Sequence, residues 1–268
     1  MSSVRPPAVA GSFYPRQASE LTATVAALLE SVERDGQAGL PKALIVPHAG
    51  YIYSGPVAAS AYGQLKSAGS RSIKRVILLG PAHRVYVEGL ALPSVTSFAT
   101  PLGTVPLDTE AMRQIRALPQ VVESDEAHRL EHSLEVHLPF LQNILNDFTL
   151  VPLAVGDASS EAVAEVLEIL WGGKETLFVI SSDLSHYLPY RAAQKIDQDT
   201  VNMILKLQST LTGDQACGCV PVNGFLRAAR RRGLTPLLLD ARNSGDTAGD
   251  KSRVVGYASF AFTEEVMI

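Results

Sequence analysis

Three short apolar runs do most to limit the folds open to this chain: Ala43–Val46 (ALIV), 75–80 (RVILLG) and Thr176–Ser181 (TLFVIS). Runs this short without polar alternation are the pattern of strands covered on both faces, which belong to sheets flanked by helices. The stretches around them carry helical spacing instead. Leu21, Val25, Leu28, Leu29 and Val32 mark a helix over 19–33, and Met112, Ile115 and Leu118 mark another behind a capping Asp108. Val163, Val166, Leu167 and Leu170 give one over 160–170. Helices are also expected over 57–66, 131–145, 191–207 and 222–232. Short strands and turns are expected over 90–106, and strands over 148–155, 236–239 and 253–263. Pro152 points to an edge position for the 148–155 strand. The alternation predicts an α/β fold, a single domain over 1–268 with a mostly parallel or mixed sheet.

Composition narrows the function classes. The chain is 46% hydrophobic and 19% charged, which fits a folded globular protein. A net charge of −4 and a pI of about 5.9 argue against a nucleic-acid partner. The basic cluster Arg227, Arg230, Arg231 and Arg232 ends just before Gly233, where cations offset a helix dipole. No segment approaches the ~20 apolar residues of a membrane span. The stretch MSSVRPPAVAGSFYP lacks the apolar core of a signal peptide, so the reading is a soluble, cytoplasmic protein without a membrane partner. Cys217 and Cys219 are too few for a disulfide scaffold and read as free thiols or metal ligands.

The chemistry is expected where the apolar runs stop. His48 follows the first run in ALIVPHAGY, His83 follows the second, and His186 follows the third in SSDLSH. Open α/β sheets bind ligands just outside the carboxyl ends of their strands, so three imidazoles placed there suggest a metal or acid/base site. Asp183 can orient an imidazole, act as an acid/base, or cap its turn. Cys217 stands beside Gly218, and a thiolate next to two imidazoles suits Zn²⁺, Cu or Fe. The segment His128-Arg129-Leu130-Glu131-His132 matches H-x-x-E-H, the pattern of one class of zinc hydrolase, and gives a minor alternative. In EHSLEVHLPF, Glu131, His132 and Glu135 are expected on one helical face, with His137 pointing elsewhere. There is no G-x-G-x-x-G, Walker A or G-x-S-x-G motif to support nucleotide or hydrolase chemistry.

Read in order, RPPAVAGSFYP, VPHAGYIYSGPVAA, LLGPAHRV, EHSLEVHLPFLQ, VISSDLSHY, the Cys217-Gly218 loop and GYASFAF resemble the Memo family almost end to end. Its prokaryotic members are often called AmmeMemoRadiSam system protein B. The resemblance implies a fold similar to class III extradiol dioxygenases, the non-haem iron enzymes that cleave catechol rings. It implies one transition metal ion per chain, iron or copper ahead of zinc, held by His48, His83 and Cys217. Asp183 and His186 match further pocket residues, with His186 corresponding to the acid/base histidine of the dioxygenases. Tyr51, Glu131, His132 and Cys219 complete the candidate pocket. A thiolate replaces the carboxylate that the dioxygenases use as third ligand, so the 2-His-1-carboxylate triad is absent. Cys219 stands where better-known eukaryotic members carry a basic residue, which leaves a two-thiolate site or a redox pair open. The function expected is a redox or oxygen-dependent reaction on a small molecule. The alternative is a non-catalytic module that binds a peptide or partner protein. The family name also implies a companion radical-SAM enzyme and an AMMECR-type protein as partners.

Overall fold

The computed structural model describes residues 3–32, 39–66, 72–247 and 249–264. In chain order the strands are β1 (Val4–Arg5), β2 (Ala43–Val46), β3 (Arg75–Pro81), β4 (Leu90–Leu92), β5 (Ser97–Thr100), β6 (Gly103–Pro106), β7 (Val121–Glu123), β8 (Thr149–Val155), β9 (Thr176–Ser181), β10 (His186–Leu188), β11 (Thr235–Asn243) and β12 (Val254–Thr263). The helices are α1 (Ala18–Glu30), α2 (Tyr51–Gly63), α3 (Thr109–Ile115), α4 (Asp125–Arg129), α5 (Leu138–Ile144), α6 (Ser160–Ile169), α7 (Tyr190–Leu205), α8 (Cys219–Arg231) and α9 (Ser244–Thr247). A 3₁₀ turn over Glu135–His137 leads into α5.

All three apolar runs become strands of one mixed sheet, ordered β10-β12-β2-β9-β3-β8-β4-β7 with β11 paired to β12. Its centre, β2-β9-β3-β8, is parallel, while β12 joins β2 and β4 joins β8 antiparallel. Every residue of β2 and β9 is buried, so both faces of the centre are covered. α8 packs on β3 and β9 and carries α6 against it, while α1, α2 and α5 form a second group. The terminal arginines of α8 do more than face the helix dipole. Arg227 and Arg231 pair with Glu161, and Arg232 with Glu168, tying α8 to α6. Among the described residues, no helix is long and apolar enough to cross a membrane.

Two expectations are corrected here. β8 is an interior strand, paired along its length with β3, although it contains Pro152. The Leu150 carbonyl accepts from Asp108 N on the side away from β3, and strand groups alternate sides, so the Pro152 nitrogen also faces away from β3. That side falls between the Leu107 bridge at Leu150 and the pairing of β4 with Ala154, so the missing N–H breaks no ladder bond. The second correction concerns 131–145, where the helix begins only at Leu138. Glu131 Oε1 accepts from the backbone N–H of His132 and Ser133, each at 2.9 Å, and this local turn competes with helix. Pro139 then sits in the first turn of α5, where its missing donor costs nothing.

Glu131 and Glu135 consequently do not share a helical face. Glu135 is fully buried and anchors the N-terminal segment: it accepts from Arg5 Nη1 at 2.6 Å, from Ala8 and Val9 N–H, and from the Tyr14 hydroxyl. Arg5 also donates to the carbonyls of His128 and Glu131 at 2.7 Å each. The N-terminal motif is thereby strapped beneath the turn that carries Glu131 and His132.

Candidate metal centre

Because β9 lies between β2 and β3, the loops after Val46, Pro81 and Ser181 open side by side at the carboxyl end of the sheet. Two glycines permit the close approaches. A side chain at Gly80 would meet Ser133 Oγ at 2.8 Å, and one at Gly218 would meet the Ser181 carbonyl at 2.5 Å. Glycine thus lets the Ser133 turn lie on the end of β3 and the Cys217 loop lie on the end of β9. His48 N–H donates to Asp183 Oδ1 at 2.7 Å, joining the first loop to the third.

Three imidazoles meet in this space. His48 and His83 lie 5.2 Å apart between ring centroids, His48 and His132 5.4 Å, and His83 and His132 4.8 Å in a stacked pair. Their ligand atoms fall within 4.8 Å of one another, and the three could hold a metal ion. Cys217 joins from the far loop, with Sγ 3.3 Å from His48 Nε2. Nitrogen and sulfur bound tetrahedrally at ~2.0–2.1 and ~2.3 Å would stand about 3.5 Å apart, so this pair needs almost no movement to share an ion.

The electrostatics favour neutral donors. Burial, reinforced by the neighbouring imidazoles, holds His48 well below the ordinary histidine range. Burial likewise brings His132 down to about 4. His132 Nδ1 is buried without a hydrogen bond; Glu131 Oε1 is 3.3 Å away but off the donor direction. Burial would raise the Glu131 carboxyl, yet the His83 ring and the N–H groups of Ser133 and His83 hold it at about 2. Its two oxygens take His83 Nδ1–H at 2.9 Å and His83 N–H at 2.6 Å, leaving His83 Nε2 as the free nitrogen. Burial pushes Asp183 up to about 7 against the opposing His48 N–H bond. Burial, then the Asp183 charge, pushes the Cys217 thiol up, so it carries a proton that a cation must displace.

His186 approaches from β10 at a bulge, where Tyr187 adopts φ 59 in the left-handed region and the register against β12 shifts. Burial, together with the field of His83, lowers the His186 pKa. Cys219 opens α8, half-buried. The Tyr51 hydroxyl is spent on the Val136 carbonyl at 2.7 Å. The H-x-x-E-H match does not assemble: α4 ends at Arg129, and His128 Nε2 donates to the Ala91 carbonyl at 2.9 Å beside Phe98. His137 does point elsewhere, toward Ser181 and Tyr62. Sequence reasoning passed over Phe13, whose ring packs 4.8 Å from that of His132, and Ser181, whose hydroxyl bonds His48 Nδ1. A hydroxyl closing an otherwise apolar strand was the available signal for Ser181.

Residues 5–261 match the family described as Memo-like protein. A MEMO1 family protein of Aquifex aeolicus is 36% identical, with 97% of this chain and 99% of that protein covered. One from Metallosphaera sedula is 33% identical over the same shares, and one from Methanosarcina barkeri is 35% identical over 96% and 98%. Among solved structures, an uncharacterized protein from Escherichia coli K12 superposes with a TM-score of 0.55 at 15% identity, covering 83% of this chain and 99% of that one. That likeness establishes the mixed α/β fold alone. With the motifs of the three loops folded into one centre, and the match running from Arg5 to Ala261, this chain belongs to the Memo family.

Proposed function

We propose that this protein carries out a redox or oxygen-dependent reaction on a small molecule at a mononuclear metal site held by His48, His83 and Cys217. The observation behind it is the 3.3 Å approach of Cys217 Sγ to His48 Nε2, beside a His83 ring oriented by Glu131. Two imidazoles and a thiol form a donor set suited to iron, copper or zinc. Bound there, an iron or copper ion would supply electron transfer and Lewis acidity. Glu131 fixes the His83 ring, and Phe13 packs across His132 on the neighbouring side. Asp183 retains a proton up to about pH 7, and His186, neutral and partly open, can take up or return one. The full chain is read as one domain of this kind.

A second reading, recognition of a peptide or partner without turnover, draws on Tyr86 and Tyr187, which are 77% and 63% exposed close to His83 and His186 in sequence. Elemental analysis after anaerobic purification, followed by oxygen uptake with candidate catechols, separates the readings. About one iron or copper per chain with substrate-dependent oxygen uptake is the result expected. Bound metal with no uptake on any redox substrate favours the binding module, and absence of metal overturns the site.

A further inference from the structure

His48 is gripped from behind. While Nε2 faces Cys217, Nδ1 lies 2.6 Å from Ser181 Oγ. That hydroxyl has two more partners: the Ser133 carbonyl at 2.6 Å and His137 Nε2 at 2.8 Å. The other nitrogen of His137, Nδ1, is 2.9 Å from the Tyr62 hydroxyl. His48, Ser133, Ser181, His137 and Tyr62 are all 2% exposed or less, so these groups must satisfy one another.

Counting protons gives the chain a direction. A serine hydroxyl has one proton to donate and two lone pairs to offer, whereas a carbonyl only accepts. The Ser181 proton therefore goes to Ser133, and both imidazoles must donate to Ser181 Oγ. A neutral imidazole has one N–H. His137 spends its own at Nε2, so its Nδ1 accepts from the Tyr62 hydroxyl. His48 spends its own at Nδ1, so its Nε2 keeps a lone pair. The Cys217 thiol, 3.3 Å from that nitrogen, is placed to donate to it. This assignment matches each of these contacts, and the other acceptor within reach of the thiol, the Asp183 carbonyl, is farther at 3.7 Å.

We propose that Ser181, backed by His137 and Tyr62, is a positioning residue that locks His48 in the Nδ1–H tautomer and presents the Nε2 lone pair to the centre. In water the neutral ring favours the opposite, Nε2–H form, which offers no lone pair at Nε2. The lock is a property of the metal-free protein; its effect on affinity rests on the metal site proposed above. Residues of this kind, one bond behind a ligand, typically change metal affinity ~10–100-fold when altered.

Two-bond ¹H–¹⁵N correlation spectra of metal-free wild-type protein, with His48 and His137 assigned by single substitution, read the tautomers directly. The expected result is Nδ1–H at His48 and Nε2–H at His137. Ser181→Ala should release His48 toward the Nε2–H form and weaken Zn²⁺ binding ~10–100-fold in calorimetric titration. His137→Gln, whose amide can donate to Ser181 and accept from Tyr62, should keep both the His48 tautomer and the Zn²⁺ affinity within a few-fold. A purely structural role would not distinguish these variants. Wild-type His48 found as Nε2–H overturns the proposal, as does a folded Ser181→Ala protein with an unchanged His48 tautomer. Should Ser181→Ala fail to fold, the wild-type and His137→Gln spectra still decide. The predicted tautomers without any Zn²⁺ binding would support the lock while contradicting the metal centre.

Discussion

The two ends of the same parallel strands differ in an instructive way. At the amino end, a cavity of about 630 Å³ is lined by Lys74, Arg75, Asp108, Gln142, Thr149 and Glu175. Two of its charges are paired with each other: Arg75 Nε donates to Asp108 Oδ2 at 2.7 Å, and Thr149 donates to the same oxygen. Asp108 also caps α3, and its pKa is lowered although burial opposes this, because Ala111 N–H and Arg75 bond its carboxylate. The carboxyl end leaves chemistry unspent. His132 Nδ1 has no hydrogen bond, Asp183 is held near pH 7, and the Cys217 thiol keeps its proton. At the amino end an arginine and a carboxylate are paired; at the carboxyl end, titratable groups are buried with shifted pKa values or an unpartnered nitrogen.

The largest effect should come from the proposed ligands. Replacing His48, His83 and Cys217 together with alanine should take bound metal from about one ion per chain to none, while Arg75→Ala at the other end leaves metal content unchanged. Elemental analysis of both proteins checks this, and metal surviving in the triple variant breaks the comparison. Next comes His186→Gln, which should reduce turnover ~10²–10⁴-fold while metal content and melting temperature hold, as for loss of a general acid/base. Loss of metal in that variant would instead make His186 a ligand.

Stability contrasts the ends in a different measure. Glu135→Gln would leave Arg5 buried without its countercharge, and breaking such a pair costs about 3–5 kcal/mol. Arg75→Ala removes a partly exposed pair and should cost only ~1 kcal/mol. Urea denaturation measures both, and equal losses would show that the N-terminal strap contributes little beneath the site.

The smallest effect is a pH slope. A histidine in the unfolded chain titrates near 6.5, whereas burial takes folded His128 down to about 4. Between those values the unfolded state binds the proton and the native state does not, so stability is lost as pH falls through 6.5 toward 4. From pH 7 to pH 5 the His128 share of that loss is about 2 kcal/mol. Asp183 works in the opposite sense, since its folded pKa is raised and its contribution fades as pH rises toward 7. Urea melts at both pH values should therefore be compared between wild type and His128→Leu, where the difference should shrink. An unchanged slope would place the acid sensitivity elsewhere.

What the sequence revealed was local. Apolar runs that end abruptly specified β2, β3 and β9, and a histidine just beyond a buried strand is positioned by that strand alone. His48, His83 and Asp183 were legible for this reason, whereas Cys217 follows no apolar run and stood out through Gly218 and the family resemblance. The turn at Glu131 was not, because helical spacing is overridden by carboxylate bonds to His132 and Ser133 N–H and to a loop 48 residues away. Pro152 misled for a similar reason: whether its missing N–H matters depends on which neighbouring strand faces it. Ser181, His137 and Tyr62 are separated widely in sequence, and only the folded chain reveals them as one network.

The central claim is that the third ligand is the Cys217 sulfur and not the His132 nitrogen that lies beside it. X-ray absorption at the edge of the metal bound to the anaerobically loaded protein tests this most directly. The account predicts one sulfur neighbour at about 2.3 Å with nitrogen at about 2.0–2.1 Å, and loss of the sulfur shell in Cys217→Ser. A shell of nitrogen and oxygen alone, unchanged by that substitution and altered by His132→Ala, would contradict it.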